Sequence, residues 1–251
     1  MYDVLIPTAE KDFLKFRFTY DSILENLDGF DKFYCISNVK VPKELSISGV
    51  QYFLDDDVLD FDYSGFKGIV MERKRWYIQQ FIKLFQQITS DDYLVVDADV
   101  YFNKKIDVIE NGKPTFLFGK DQLNQPYFDF TEKVLGFGRI YPYSFINEVM
   151  LFKREIINHM VSSTGFNIYG FFELATKALN EINSPSGMCE YETYGNYVTK
   201  YFKDQYNYRY LKTKRYRKHR IWKTEEIQSC INSIKGSKYD MITFHSWITE
   251  Q

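Results

Sequence analysis

Apolar and polar positions fall into blocks along the chain, and the blocks differ in period. Residues 3–7 (DVLIP) read as a short buried strand ended by Pro7, with Thr8 placed to cap the next helix. Phe13, Phe16, Tyr20, Ile23, Leu24 and Leu27 recur at helical spacing until Asp28-Gly29 interrupts them. Residues 32–37 and 50–54 read as two further strands, the second running into Asp55-Asp56-Asp57. Met71, Ile78, Phe81, Ile82, Phe85 and Ile88 mark one face of an amphipathic helix whose polar positions include Gln79, Gln80 and Lys83. Residues 93–96 (YLVV) are apolar without alternation, as expected of a central strand buried on both faces.

Further on, residues 114–118 and 147–153 predict strands, with a short helix near 154–161. Residues 119–144 carry Gly, Pro and aromatics with little period and read as irregular. Helices are expected over 168–182 and from Glu190 to Phe202, separated by the loop 183–189, and late strands over 207–212 and 240–245. Alternation of strand and helix predicts an α/β fold with a mainly parallel sheet flanked by helices. Nothing in the chain marks a linker, so residues 1–251 are expected to form one domain, its first half (1–102) and second half (103–251) doing different work.

Composition narrows the function classes. The 251 residues are 45% hydrophobic, enough for a substantial core. Aromatics reach 19%, with 21 Tyr and 23 Phe; tyrosine-rich surfaces suit hydroxyl-rich ligands, although codon bias is the ordinary explanation. Lys and Arg number 32 against 34 Asp and Glu, so no overall field draws the chain to nucleic acid or an anionic surface. Cys35, Cys189 and Cys230 form no metal or disulfide pattern and fit a reducing cytoplasm. The N-terminus lacks the features of a signal peptide, and no apolar run spans a bilayer, so any membrane contact would be peripheral.

The string that carries chemistry is YLVVDADVYF, residues 93–102. On a strand, Asp97 and Asp99 at i and i+2 would present two carboxylates to one side, where a central strand leaves the sheet. Paired carboxylates repel unless a cation joins them, and Mg²⁺ or Mn²⁺ takes oxygen ligands together with substrate phosphates. The alternative is a solvated turn after a strand.

A strand–helix–strand–strand–helix opening followed by a buried strand ending in DAD resembles the GT-A glycosyltransferases. More narrowly, RWYIQQFIKL (75–84) before the DAD strand and EYETYGNYV (190–198) after it resemble a family of small bacterial and viral GT-A-like proteins. The resemblance implies a metal-dependent glycosyltransferase that moves a sugar from a nucleotide-sugar donor, a UDP- or GDP-sugar, to a glycan or lipid-linked acceptor in surface glycan synthesis, with residues 1–102 as the nucleotide-sugar-binding half and 103–251 as the acceptor-binding half. It implies Mn²⁺ or Mg²⁺ held by Asp99 with Asp97, and Thr8 and one of Asp55, Asp56 and Asp57 bordering the base or ribose. It implies Gln79, Gln80 and Lys83 near the donor phosphate or sugar; a solvated helix face is the alternative for each.

His245, in ITFHSW, would be a further metal ligand or else a histidine packed beside Trp247. An inverting transfer needs a carboxylate base. Glu190 and Glu192 are the candidates, Glu192 favoured, although acids in a first helical turn are also ordinary capping chemistry. The basic segment 209–223 reads first as a charged edge strand and loop, second as a grip on the donor's diphosphate, and last as a nucleic-acid site; a patch that meets anionic lipid would also look like this. A non-catalytic nucleotide- or glycan-binding protein is the rival of another class. A nucleotidyltransferase is disfavoured because no glycine follows the first strand until Gly29.

Overall fold

Four of the expected apolar runs lie side by side as parallel strands: β1 (Tyr2–Thr8), β2 (Phe30–Ser37), β3 (Val50–Leu54) and β4 (Asp92–Val96). A computed structural model describes residues 1–120 and 122–246. The fifth strand of this sheet comes later in the chain, β8 (Val149–Lys153), and pairs antiparallel with β4, giving the spatial order β3-β2-β1-β4-β8. Between β1 and β4 the order reverses, and β4 pairs only with Asp3–Leu5 of β1, a switch point of the kind that leaves a crevice at the carboxyl ends of the strands. In open α/β sheets this is where ligands bind. β1 continues past Pro7 to Thr8 because it keeps pairing with β2 there, with no partner on the β4 side.

Alternation along the central strands feeds two cores. Leu5, Tyr93 and Val95 pack on one face with Phe81, Tyr191 and Tyr194; Val4, Ile6, Leu94 and Val96 pack on the other with Phe16 and Ile23. Tyr93, Leu94, Val95 and Val96 are all fully buried, as the unbroken apolar run predicts. The second face is covered by α1 (Phe13–Asn26). Residues 55–58 form a single turn, α2 (Asp55–Val58), where the sequence suggested only the end of a strand. The expected long helix divides at Arg73 into α3 (Gly68–Glu72) and α4 (Lys74–Phe85), and α4 covers the first face.

The second half adds β5 (Val100–Phe102), the short β6 (Ile109–Glu110) and β7 (Lys113–Phe118). The stretch read as irregular contains a helix, α5 (Gln125–Leu135), with Pro126 in its first turn and Gly136 after it at φ 76°. Those are helix start and stop signals, but the run of aromatics between them has no clear helical period in the sequence. Then come β8, α6 (Arg154–Ser162), α7 (Ile168–Ile182), α8 (Glu190–Tyr201) and β9 (Asn207–Tyr210). The last elements are β10 (Thr213–Lys218), α9 (Thr224–Ile234) and β11 (Met241–Ser246). β10 and β11 pair in parallel, β11 pairs antiparallel with β5, and α9 seals this layer through Ile227, Ile231 and Ile234. No helix among the described residues is long and apolar enough to cross a membrane.

Helix α8 packs with almost no clearance. A Cβ on Gly195 would run into the ring of Phe145. Gly195→Ala is expected to destabilise the protein by about 1–3 kcal/mol, because overpacking outweighs the helix-propensity gain of about 1 kcal/mol. Urea denaturation checks this; an unchanged or higher midpoint would contradict the close packing.

Candidate active site

The DAD segment is fixed from three directions. The N–H of Asp97 donates to the carbonyl of Glu148 (2.9 Å), the hydroxyl of Thr19 donates to the carbonyl of Ala98 (2.9 Å), and the N–H of Phe244 donates to the carbonyl of Asp99 (2.9 Å). Helix α1, the start of β8 and strand β11 therefore all converge on it. Asp97 and Asp99 lie in a turn between β4 and β5, not on a strand, so strand alternation does not set their directions. Each carboxylate meets its own group of partners.

Asp97 Oδ1 lies 2.7 Å from Lys83 Nζ and accepts the hydroxyl proton of Tyr191 at 3.0 Å. Lys83 is buried in α4, and its ammonium also bonds Glu190 Oε1 at 2.6 Å and lies 4.7 Å from the Tyr191 ring centre. Burial alone would lower the Lys83 pKa, but Asp97 and Glu190 outweigh it and hold the ammonium protonated. Burial raises the Glu190 carboxyl, and Lys83 pulls it back. The Asp97 side chain remains 25% exposed, so it stands at the edge of this buried cluster.

Asp99 Oδ2 stands 3.5 Å from His245 Nδ1 and 3.9 Å from Lys15 Nζ. Burial pushes the Asp99 carboxyl up to about 7, with Lys15 opposing and Asp12 and Asp97 adding to the rise. Lys15 is itself held by Asp12 (2.5 Å), the carbonyl of Phe244 (2.7 Å) and the hydroxyl of Ser246 (3.2 Å). His245 Nε2 lies 3.0 Å from the Thr243 hydroxyl and 3.7 Å from Glu148 Oε1, and burial lowers the imidazole pKa. A neutral imidazole with its far nitrogen hydrogen-bonded is oriented to offer the near one as a ligand. Glu148 adopts φ 56° and engages Arg215 through both carboxylate oxygens at 3.2 Å.

Asp99 and His245 thus present an oxygen and a nitrogen 3.5 Å apart, and the Asp99 carboxyl is only partly compensated by Lys15. Among the described residues no group of three or more His, Cys, Asp or Glu is placed to hold a metal ion. The arrangement suits an ion that takes the rest of its shell from substrate phosphates and water, as Mg²⁺ characteristically does.

The other expected site residues are distributed differently. Gln79 reaches the carboxyl end of β1, its amide donating to the Pro7 carbonyl at 3.4 Å. Gln80 is buried and turns back to the Trp76 carbonyl. The hydroxyl of Thr8 is buried within β1 and its neighbour, bonded to the Ile6 carbonyl and Cys35. Asp55 is buried against Arg75 (3.1 Å) beyond the edge strand β3, while Asp57 is exposed. Trp247, the expected neighbour of His245, lies outside the described residues.

Glu190 and Glu192 point to different sides of α8, as a two-residue offset on a helix requires. Glu192 is fully buried: it accepts from the Ser144 hydroxyl (2.7 Å), the Phe145 N–H (3.1 Å) and the Asn196 amide (3.1 Å). Asn196 in turn accepts the N–H groups of Ile140 and Tyr141, so this face of α8 fastens the segment leading to Glu148. With Glu190 held by Lys83 at 1% exposure, neither carboxylate is open to an incoming hydroxyl.

Burial pushes the Glu192 carboxyl up to about 7, against the opposing bonds from Ser144 and Phe145. The folded protein then holds this proton more tightly than the unfolded chain, whose carboxyl titrates near 4.5. The contribution is therefore greatest below pH 4.5 and declines as pH rises to about 7, by about 3 kcal/mol in all. Urea denaturation across that window should show a steeper decline for wild type than for Glu192→Gln; parallel profiles would contradict a raised carboxyl.

Sequence reasoning missed Lys15, Glu148, Tyr191 and Arg215. Arg215 lies inside the basic segment whose second reading was a grip on an anion. Lys15 shares its helix face with Asp12, Thr19 and Ser22, and nothing in that pattern signals burial.

A family model described as a family of unknown function (DUF6492) matches residues 62–151, which carry α3, α4, the DAD turn and the segment into β8. No curated protein matches the chain. Among solved structures, mouse xyloside xylosyltransferase 1 in its apo form aligns at 11% identity and a TM-score of 0.43, over 96% of this chain and 97% of that one. The galactosyltransferase LgtC, in complex with donor and acceptor sugar analogues, aligns at 10% identity and a TM-score of 0.43, over 96% of this chain and 86% of that one. At such values the functional reading rests on the site's own residues.

Proposed function

We propose that this chain is a GT-A-type glycosyltransferase that uses a divalent cation, Mn²⁺ or Mg²⁺, to hold the diphosphate of a nucleotide-sugar donor. The observation that carries the reading is the meeting of Asp99 with His245, 3.5 Å apart, beside Asp97 at the carboxyl ends of β1 and β4. Two distant parts of the chain deliver acid and imidazole to the crevice where an open α/β sheet binds ligands. Asp99 and His245 would hold the ion, and the donor's phosphates and water would complete its shell. Bound there, the ion supplies charge neutralisation for the departing diphosphate.

The chain's other groups set the stage for that chemistry. Lys83 and Tyr191 fix the direction of Asp97. Lys15 brings a buried ammonium within 3.9 Å of Asp99, where it also favours an anionic ligand. The bond that forms joins an acceptor oxygen to the anomeric carbon; the bond that breaks joins that carbon to the diphosphate, which leaves with its electron pair, and the acceptor's proton is released. A UDP- or GDP-sugar is the donor class, and a glycan or lipid-linked sugar the acceptor class. No base is assigned, because Glu190 and Glu192 are both enclosed.

Turnover separates this reading from a binding protein with the same architecture. The protein is incubated with UDP-, GDP-, CMP- and dTDP-sugars and Mn²⁺, and nucleotide release is followed by chromatography. Release from one donor class, stopped by EDTA, is the expected result. Binding without any consumption, in the presence of glycan acceptors, would favour the non-catalytic alternative.

A further inference from the structure

A ledge of aromatic rings formed by the ends of β7 and β9 and the segment 141–143 takes no part in the site described above. Phe118, at the end of β7, stacks on Tyr143 with ring centres 5.1 Å apart and planes 10° apart. Tyr141 meets Phe118 edge-on at 5.4 Å, and Tyr210, at the end of β9, lies 5.9 Å away on another side. Lys120 Nζ stands 5.4 Å from the Tyr143 ring centre and 5.0 Å from that of Tyr210, bridging the two outer rings. Tyr143 is 38% exposed and Tyr210 43% exposed. Single exposed aromatics are ordinary, but a contiguous group marks a binding surface.

The same backbone segments connect the ledge to the crevice. Gly119 and Ser144 exchange backbone hydrogen bonds (2.8 and 3.1 Å), and the Leu211 N–H donates to the Phe118 carbonyl (3.0 Å), so the three segments run side by side. Five residues beyond Tyr143 is Glu148, and five beyond Tyr210 is Arg215. These two form the ion pair next to His245. Five residues of extended chain span at most about 18 Å, so the ledge lies within the reach of a short oligosaccharide whose end occupies the crevice.

We propose that this ledge binds the rings of a carbohydrate acceptor, placing its terminal hydroxyl at the transfer site; the proposal rests on the glycosyltransferase reading. The tyrosine rings offer flat apolar faces for the C–H side of a pyranose, and their hydroxyls, with the Lys120 ammonium, offer donors to its oxygens. The site is thereby divided: Asp97, Asp99 and His245 engage the donor, and Tyr143, Tyr210 and Lys120 the acceptor. A stacking surface can also take nucleic-acid bases, but the chain's net charge of −2 favours the neutral ligand.

The test compares wild type with Tyr143→Ala/Tyr210→Ala, a change at two exposed positions, with folding checked by thermal denaturation. Binding of maltohexaose, cellohexaose, chitohexaose and a hyaluronan hexasaccharide is measured by saturation-transfer NMR titration, and binding of UDP and GDP with Mn²⁺ by calorimetry on the same samples. The expected result is that at least one oligosaccharide binds wild type and loses at least about tenfold in affinity in the variant, equivalent to about 1.4 kcal/mol. Nucleotide affinity should stay unchanged. Failure of all four oligosaccharides to bind, equal binding by the variant, or salt-sensitive binding of a dT10 oligonucleotide to the ledge in their place would overturn the proposal. Absence of nucleotide binding by wild type would instead count against the donor site, while the oligosaccharide comparison still decides the ledge.

Discussion

Asp99→Asn is expected to lower nucleotide-sugar turnover by at least about a hundredfold while leaving the unliganded protein as stable as wild type or more so. The loss follows from removing a ligand from an ion that would supply several kcal/mol of transition-state charge stabilisation. The stability expectation follows from the Asp99 carboxyl, which burial pushes up to about 7. Above that pH its charge is enclosed with Lys15 at 3.9 Å as its nearest ammonium, and asparagine removes that cost. The two expectations together exclude misfolding as the cause of inactivity. Turnover within a few-fold of wild type would show that Asp99 does not hold the reacting complex.

Lys83→Met is expected to cost about 3–5 kcal/mol of folding stability, the range found when one partner of a buried ion pair is removed. Lys83 is the ammonium shared by Asp97 at 2.7 Å and Glu190 at 2.6 Å, and Glu190 lies 1% exposed with its second oxygen lacking a hydrogen-bond partner. Without the lysine, Glu190 must take up a proton or remain an enclosed charge. The double variant Lys83→Met/Glu190→Gln should recover a good part of the loss, because the carboxylate that remains, Asp97, is open to water on one side. Urea denaturation of wild type and both variants measures this. A loss under about 1 kcal/mol in the single variant, or no recovery in the double, would show that the three groups are not energetically coupled.

Much of the scaffold could be read from residue order. The unbroken run Tyr93–Val96 announced a strand buried on both faces, and alternating strand and helix blocks announced a mainly parallel sheet. Helix α9 was also readable, since Ile227, Ile231 and Ile234 have helical spacing, although it was not expected. Helix α5 was harder because its aromatics favour strands as readily as helices.

The candidate site divides along a similar line. Asp97, Asp99 and His245 are singled out by local strings, and the structure brings Asp99 and His245 together. What local strings cannot hold is the set of partners. Lys83 and Glu190 are 107 positions apart in sequence, and Lys15 finds its carbonyl partner on Phe244, 229 positions away. Lys15 becomes enclosed only because β11 lies across α1, a consequence of strand pairing that the residues around Lys15 do not signal. In the same way, Glu192 has the residue type of a base, but Ser144 and Phe145 come from a segment without a period and enclose it.

The most direct test of the central claim is a thermal-shift measurement with UDP-, GDP-, CMP- and dTDP-sugars, each with Mn²⁺, Mg²⁺ or EDTA, on wild type and Asp99→Asn. A ligand that binds only the folded state raises its melting temperature by mass action. The expected result is that one donor class stabilises wild type with a divalent ion, and that the gain disappears with EDTA and in Asp99→Asn. A gain of equal size with EDTA, or in the variant, or no gain with any donor, would contradict a metal-held diphosphate at the DAD turn.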